Sequence, residues 1–208
     1  MQGTGRMKVQ PDQTTVLVQV ASTNTEAGRA VQLVSEQVEQ LLKKIQDAGF
    51  KPNEIKTSQF YMQENNEWRN DRMVRNGYTA RQTLEITFAL DAKRMTRLTN
   101  AFASTPEGVT FQFGFGLSDK LQQQVKEELI RKALQDAREK GAVIARSANI
   151  RLGSIRKIEY GRQGVQPYGP VNMRADMAVM KQEASFPQTE IQEMELTDQI
   201  LVIWTIEQ

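Results

Sequence analysis

Residues 109–119 read VTFQFGFGLSD, and this stretch decides the fold class. Apolar residues alternate with small or polar ones from Val109 to Leu117, a period of two that is typical of a half-buried strand. Ser118 and Asp119 then supply side chains that cap a helix N-terminus. The stretch therefore predicts a strand that leads directly into a helix, and the rest of the chain is interpreted from this transition.

The helix predicted after Asp119 has an apolar face at spacings of three and four residues. Small residues dominate the second half of that face, so we expect close approach to the element that the helix covers. The members of the face are Leu121, Val125, Leu129, Ala133, Ala137, Gly141, Ile144 and Ala148. Two further strands are predicted beyond this helix, over 153–160 and 196–206.

The first half of the chain predicts the same order of elements. Valines alternate over 14–21 as in a strand, and a helical apolar pattern follows, with Asn24 or Thr25 as its expected cap. Gly49 and Pro52 end that helix. Two strands are then predicted, over 53–62 and 78–89, and Asp91 caps a short helix.

An internal duplication is indicated by an offset of one hundred residues between the halves. The corresponding positions are Ala48-Gly49-Phe50 with Ala148-Asn149-Ile150, Ile55 with Ile155, and Phe60 with Tyr160. We therefore predict an α+β fold made of two strand-helix-strand-strand repeats, in which helices pack on antiparallel sheet and an extra short helix separates the repeats. The predicted units are 1–90 and 91–208, and together they form one domain.

Each predicted unit carries an insertion between its second and third strands. The first, 63–77, is polar and turn-prone, and its Trp68 and Arg69 mark either a subunit interface or local packing. The second, 161–194, is rich in glycine and proline and contains three methionines that would share a face of a helix over 172–182. A Met-rich contact surface for another subunit is the leading interpretation, beside a disordered loop and a thioether copper site. The candidate subunit-contact residues are Trp68, Arg69, Tyr168, Met173, Met177 and Met180.

Composition excludes several classes of function. The 208 residues contain no cysteine and no histidine, which removes thiolate nucleophiles, disulfides, Cys/His zinc sites and every histidine-assisted nucleophile. Lysine and arginine number 27 against 25 acidic residues, and the charges alternate along the predicted helices, so no nucleic-acid partner is expected. Gly114-Phe115-Gly116 lacks the third glycine of a dinucleotide-binding turn. We therefore predict no catalytic residue, no cofactor and no metal site.

The motifs of this chain, taken in order, resemble the SIMPL-domain family. They run from Gly3 and Gly5 through Val9-Gln10-Pro11-Asp12, Ala48-Gly49-Phe50, Ile55-Lys56-Thr57, Tyr61, Gly77-Tyr78-Thr79-Ala80 and Phe115-Gly116-Leu117-Ser118 to Ala133-x-x-Asp136-Ala137-x-x-Lys140. Two departures stand out: Gly141 replaces the usual alanine, and the insertion 161–194 is long. The resemblance covers essentially the whole chain.

This resemblance implies an exported bacterial protein of the periplasm or outer envelope. Some members of the family are associated with oxidative-stress tolerance, one forms a large ring, and an animal member is a kinase-associated signalling adaptor. No catalytic residues are established for the family, so none are transferred. The abrupt start at Met1-Gln2-Gly3 also leads us to expect that a signal peptide has been removed.

The resulting prediction is a non-enzymatic envelope protein that acts through self-assembly into a homo-oligomer, in which insertions and sheet edges supply the contacts. No run of apolar residues is long enough to span a membrane, so any envelope association is expected to be peripheral. A small-ligand binding module and an intracellular signalling adaptor are the alternatives.

Overall fold

A computed structural model describes residues 1–69, 72–103, 108–161, 166–167, 173–174 and 191–207. Three α-helices pack there on two antiparallel sheets, which confirms the predicted α+β class. The strands are β1 (Gln2–Val9), β2 (Gln13–Asn24), β3 (Ile55–Arg69), β4 (Arg72–Ala89), β5 (Val109–Gly116), β6 (Arg151–Tyr160), β7 (Gln166–Pro167), β8 (Met173–Arg174) and β9 (Met194–Glu207). The helices are α1 (Ala27–Asp47), α2 (Ala92–Ala103) and α3 (Asp119–Ser147), and a single 3₁₀ turn spans Pro52–Glu54.

The chain divides into two compact units. The five-stranded unit comprises Gln13–Gly116 and Val171–Glu190, with strand order β3-β4-β2-β5-β8 and helices α1 and α2. The four-stranded unit comprises Met1–Asp12, Leu117–Pro170 and Ile191–Gln208. Its sheet has the order β1-β9-β6, with β7 also paired to β9, and α3 packs on it.

Sheet pairing does not follow a simple division of the chain into 1–90 and 91–208. The first strand, β1, pairs antiparallel with the last strand, β9, whereas β5 pairs with β2 of the first half. The first half therefore places β1 in the sheet formed mainly by the second half, which in turn places β5 and β8 in the sheet of the first. The units 1–90 and 91–208 stay a prediction about the sequence repeat. The compact units of the structure have different boundaries.

The ends of α1 and α3 support the predicted repeat in atomic detail. Gly49 and Asn149 both have positive φ, at 93° and 54°, and both follow an alanine at the helix C-cap. The Phe50 N–H donates to the Ile45 carbonyl at 3.2 Å, and the Ile150 N–H donates to the Ala145 carbonyl at 3.0 Å. This is the same Schellman arrangement at both ends, since glycine and asparagine are the residues that best tolerate left-handed backbone.

The core of the five-stranded unit is built from large apolar side chains. Val16, Val18 and Val20 of β2 are buried, as their alternation predicts, beside Leu84 and Ile86 of β4. Helix α1 contacts both strands and buries Ala30, Val34, Val38, Leu41 and Ile45. Phe102 of α2 and Phe111 of β5 lie with ring centroids 4.6 Å apart. Burial of branched and aromatic carbon is therefore the main source of stability in this unit.

The four-stranded unit is held differently, because α3 and β1 approach each other with almost no side chain between them. A Cβ added at Gly3 would overlap the carbonyl oxygen of Ala133, and one added at Gly5 would overlap the carbonyl oxygen of Leu129. Ala133 and Ala137, two of the small residues predicted on α3, are buried at this contact, as expected from the sequence. Gly3 and Gly5 are therefore required by the packing of strand on helix.

Two carboxylates fasten β1 and its following turn to α3. The Asp136 carboxylate accepts hydrogen bonds from the Thr4 N–H and the Lys140 ammonium, both at 2.7 Å. The Lys140 hydrogen bond and the Thr4 N–H lower the pKa of Asp136. At the N-terminus of α3, the Asp12 carboxylate accepts from the N–H and the hydroxyl of Ser118, the helix N-cap. Several of the motifs that carry the family resemblance therefore contact α3.

The structure differs from the sequence predictions at identifiable places. Strand β1 was not predicted, because glycine at alternate positions hides its periodicity. Asn24 does not cap α1 directly: the N-cap is Glu26, whose N–H donates to the Asn24 side chain at 3.1 Å. On α3, Ala145 is buried and Ile144 is half-exposed, because an apolar pattern with many small residues leaves the helix orientation poorly defined.

Candidate functional site

The β3–β4 hairpin projects most of its outer part into solvent. Residues 63–77 were predicted as a turn-prone insertion, but β3 continues to Arg69 and β4 starts at Arg72, so the insertion is mainly paired strand. Trp68 lies directly opposite Met73, and their exposed fractions are 69% and 62%. Val74, opposite Glu67, is also exposed. Exposed aromatic and methionine side chains side by side are typical of contact surfaces.

The structure brings only some of the predicted contact residues together. Trp68 and Arg69 are consecutive in β3, and Arg69 lies opposite Arg72 in the register. Met173 starts β8 and pairs with Phe113 of β5, so this position is strand where a helix over 172–182 was considered. Tyr168, Met177 and Met180 lie outside the described residues, and their proposed contact role stays a prediction.

A second exposed apolar surface follows edge strand β3. Among the described residues, β4 is the only strand that pairs with β3. Phe60 and Met62 lie on the face of the sheet that carries Leu84 of the core, but both remain largely exposed. A register shift at Ser58 places Ile55 on this same face, although its spacing from Phe60 is odd. Helix α1 contacts β2 and β4, so these side chains of β3 lie beyond the part of the sheet that it covers.

Edge strand β6 of the four-stranded unit carries a matching surface. Ile155, Ile158 and Tyr160 lie opposite Trp204, Val202 and Ile200, and a register shift at Arg156 brings all three to one face. Val202 and Ile200 pack with Ala133 and Ala137 of α3, so this is the helix-covered face of the sheet. The β6 side chains nevertheless remain half-exposed. We call the two sets the β3 strip (Phe60, Met62) and the β6 strip (Ile155, Ile158, Tyr160).

The Tyr160 hydroxyl is held by a buried carboxylate. It donates to Asp198 at 2.8 Å, and the second oxygen of Asp198 accepts from the Gln199 N–H at 2.8 Å. Burial, with the Asp198 hydrogen bond and charge, raises the pKa of Tyr160 to about 12. The tyrosine is therefore protonated and fixed in position at neutral pH, and it is not a candidate general base.

A polar cluster in the five-stranded unit serves the fold. Arg94 donates to both carboxylate oxygens of Glu54, at 2.8 and 2.9 Å, and its guanidinium lies over the rings of Phe50 and Phe88 at 4.5 and 4.9 Å. The Arg94 hydrogen bonds lower the pKa of Glu54. Bidentate pairing with stacking fixes α2 against the 3₁₀ turn at Pro52–Glu54.

The described part of the chain contains no group of three or more acidic, histidine or cysteine residues placed to hold a metal ion. Within the same ranges, no helix is long and apolar enough to cross a bilayer. Gly114 and Gly116 lie within and at the end of β5, as the alternation of that strand predicts.

Comparison with known protein families decides the classification. The model of the SIMPL family, described as "Protein of unknown function (DUF541)", matches residues 1–204. The chain belongs to the SIMPL family. The resemblance seen in the motifs of the sequence is thereby confirmed, and the match itself assigns neither an activity nor a catalytic residue.

Three curated relatives show the same extent of similarity. They are the proteins called "Uncharacterized protein YggE" from Escherichia coli K12, Escherichia coli O157:H7 and Shigella flexneri. Each is 23% identical to this chain over 207 residues, covering 99% of this chain and 81% of the relative. The similarity therefore extends over both compact units.

Sequence reasoning missed the β6 strip as a surface. It identified Ile155 and Tyr160 only as the counterparts of Ile55 and Phe60 in the repeat. The available signal was the phase of the apolar positions, which shifts from odd to even between 155 and 158 and again between 55 and 60. Such a change of phase within one strand indicates a bulge, and bulges are frequent at sheet edges.

Proposed function

We propose that this protein is a non-enzymatic, exported component of the bacterial cell envelope that acts by assembling with copies of itself. Its location would be the periplasm or the outer envelope, as the resemblance to bacterial SIMPL proteins implies. The association of family members with oxidative-stress tolerance belongs to the same proposal, as a property of the assembled protein.

The observation that carries the proposal is the exposed apolar surface of the β3–β4 hairpin. Trp68 and Met73 form a cross-strand pair in which neither side chain contributes to the core. Leaving a tryptophan and a methionine in water forgoes the burial of their apolar area, typically about 1.5–3 kcal/mol for a large side chain. A contiguous surface of this kind on a folded domain marks an interaction site.

Two strand edges that no strand of the described ranges pairs with support the same interpretation. Strands β3 and β6 each border a sheet, and each carries apolar side chains along that border. A sheet edge presents free N–H and C=O groups that pair readily with another strand. A second copy of the chain offers the same edges, and closed symmetric assembly is the usual result of such complementarity.

The test is the mass of the protein in solution, measured by light scattering after size-exclusion chromatography over a wide range of loading concentrations. We expect a multiple of 23.6 kDa that does not change on dilution. Trp68→Ala should lower this mass, whereas Val143→Ala, which truncates an exposed apolar residue of α3, should leave it unchanged. A wild-type protein of 23.6 kDa at every concentration would refute self-assembly.

A further inference from the structure

We infer that edge strand β6 of one copy pairs antiparallel with edge strand β3 of the next copy, so that the two strips meet face to face in one continuous sheet. This inference rests on the proposed function, since it specifies the surfaces through which self-assembly occurs. Strand regularity, side-chain register and charge each favour this pairing.

Regularity selects the segments that are able to pair. Register shifts interrupt β3 between Thr57 and Gln59 and again between Glu64 and Asn66, and they interrupt β6 between Leu152 and Lys157. Bulges of this kind hinder edge pairing where they occur. The segments 59–64 in β3 and 157–160 in β6 are uninterrupted, and each contains the most exposed apolar residues of its edge apart from Trp68 in β3 and Ile155 in β6.

One antiparallel register places the helix-covered faces of both sheets on the same side. Phe60 then lies opposite Tyr160 of the next copy, and Met62 lies opposite Ile158. Aromatic and aliphatic cross-strand pairs of this type each contribute roughly 0.2–1 kcal/mol to sheet pairing. The hydrogen bond from Tyr160 to Asp198 already fixes the aromatic ring, so little side-chain freedom is lost on pairing.

Charge supports the same register. It brings Glu64 to the end of the paired segment, close to Arg156 at the bulge just beyond it, an acid near a base. Strand β6 carries Arg151, Arg156 and Lys157 against a single acidic residue, Glu159, whereas β3 is balanced, with Glu64 and Glu67 after the β3 strip and Lys56 and Arg69 near its ends. Pairing between unlike edges therefore brings opposite charges together.

Pairing between like edges is less complementary. Two β6 strands would place their cationic segments side by side. Two β3 strands, in the register that pairs Phe60 with Met62, would place Glu64 opposite the bulge at Ser58 and would leave the β6 strip exposed. Only the unlike pairing covers both strips with a single contact, and such a head-to-tail contact repeats from copy to copy.

Disulfide trapping tests this inference directly, because the natural chain has no cysteine. Met62→Cys and Ile158→Cys chains are co-expressed and mildly oxidised. Directly opposite residues have Cα atoms about 4.5–5.5 Å apart, within the range that a disulfide spans. We expect a cross-linked dimer when both variants are present and no dimer from either variant alone. Val143→Cys with Met62→Cys is the matched control and should stay uncross-linked.

Charge reversal gives a second readout. Glu64→Arg and Arg156→Glu should each lower the assembly mass, and the two changes combined should restore it. Glu39→Arg, an exposed charge reversal on α1, should have no effect.

Cross-linking by Met62→Cys alone, or none at all in a protein whose mass shows assembly, would overturn the β3–β6 contact and leave the proposed function intact. A monomeric wild-type protein would overturn both. Circular dichroism of every variant verifies that the fold is retained.

Discussion

Helices α1 and α3 end in the same way but pack by opposite means. Helix α1 fills the space above its sheet with valine, leucine and isoleucine, whereas α3 lies against β1 with the backbone of Leu129, Ala133 and Ala137 facing two glycines. Large side chains stabilise the interface between α1 and its sheet. The interface between α3 and β1 depends instead on the absence of side chains that would keep the two backbones apart. The α1 interface should therefore be sensitive to the loss of side-chain volume, and the α3 interface to its addition.

The largest effect is expected from removing volume under α1. Leu41→Ala deletes a side chain that is buried in the five-stranded unit, and the cavity should lower the free energy of unfolding by about 2–5 kcal/mol. Urea unfolding followed by circular dichroism measures this loss. A loss below about 1 kcal/mol would mean that the sheet collapses onto the helix and that side-chain volume is not the main stabilising factor there.

Adding volume under α3 should have the next largest effect. Gly5→Ala introduces a Cβ that overlaps the Leu129 carbonyl, which we expect to cost about 1–3 kcal/mol. Gly28→Ala, in α1, is the matched control: its Cβ would meet no atom within 4 Å, so the helix should gain roughly 0.5–1 kcal/mol. Equal effects at both positions, compared in the same urea titrations, would contradict the close contact of β1 with α3.

At the edge of the four-stranded sheet, Tyr160→Phe removes the hydrogen bond to Asp198 and should cost about 1 kcal/mol at neutral pH. Because the pKa of Tyr160 is raised from 10.0 to about 12 in the folded protein, the unfolded chain loses this proton first as pH rises. The stabilisation is therefore complete below pH 10 and is lost between about pH 10 and 12. Unfolding free energies at pH 9–12 should fall more steeply for wild type than for Tyr160→Phe, and parallel curves would refute the assignment.

A smaller effect should follow from loosening the polar attachment of β1. Asp136→Asn keeps the shape of the side chain but weakens its bonds to Thr4 and Lys140, and we expect a loss of roughly 0.5–1 kcal/mol at neutral pH. The pKa of Asp136 is lowered from 3.8, so this contribution is present above pH 3.8 and disappears as pH falls through the lowered value. Wild type and variant should therefore converge in acid-unfolding curves, and a constant difference would show a packing effect.

The smallest effects should come from exchanging the two helix ends. Asn149→Gly should stabilise the protein by roughly 0.5 kcal/mol, because glycine adopts positive φ without strain, and Gly49→Asn should destabilise it by a similar amount. Thermal unfolding of the two variants measures both changes. If both shift the melting temperature in the same direction, the two ends are not equivalent.

Much of the fold follows from sequence because it depends on local patterns. The alternation of Val16, Val18 and Val20, the cap at Ser118 and the ends at Gly49 and Asn149 each arise from interactions within a few residues. Periodicity and capping describe such interactions directly. The α+β class and the helix boundaries were therefore accessible without coordinates.

What the sequence did not reveal depends on distant partners. Gly3 and Gly5 provide no apolar signal, since their role is defined only by Leu129 and Ala133 more than a hundred residues away. The pairing of β1 with β9 and of β5 with β2 likewise depends on long-range contacts, which local propensity does not encode. For the candidate surface, Trp68 was visible by its type, but the β3 and β6 strips required the pairing registers.

The ladder between β1 and β9 also constrains the order in which the chain folds. Gln2 pairs with Leu201, so the four-stranded sheet cannot close until the chain has been synthesised as far as β9. By then Gln13–Gly116, which supplies β2 to β5, is already available as a contiguous segment. Strand β1 therefore lacks its native partner throughout that interval, and its ladder is among the last contacts that become possible.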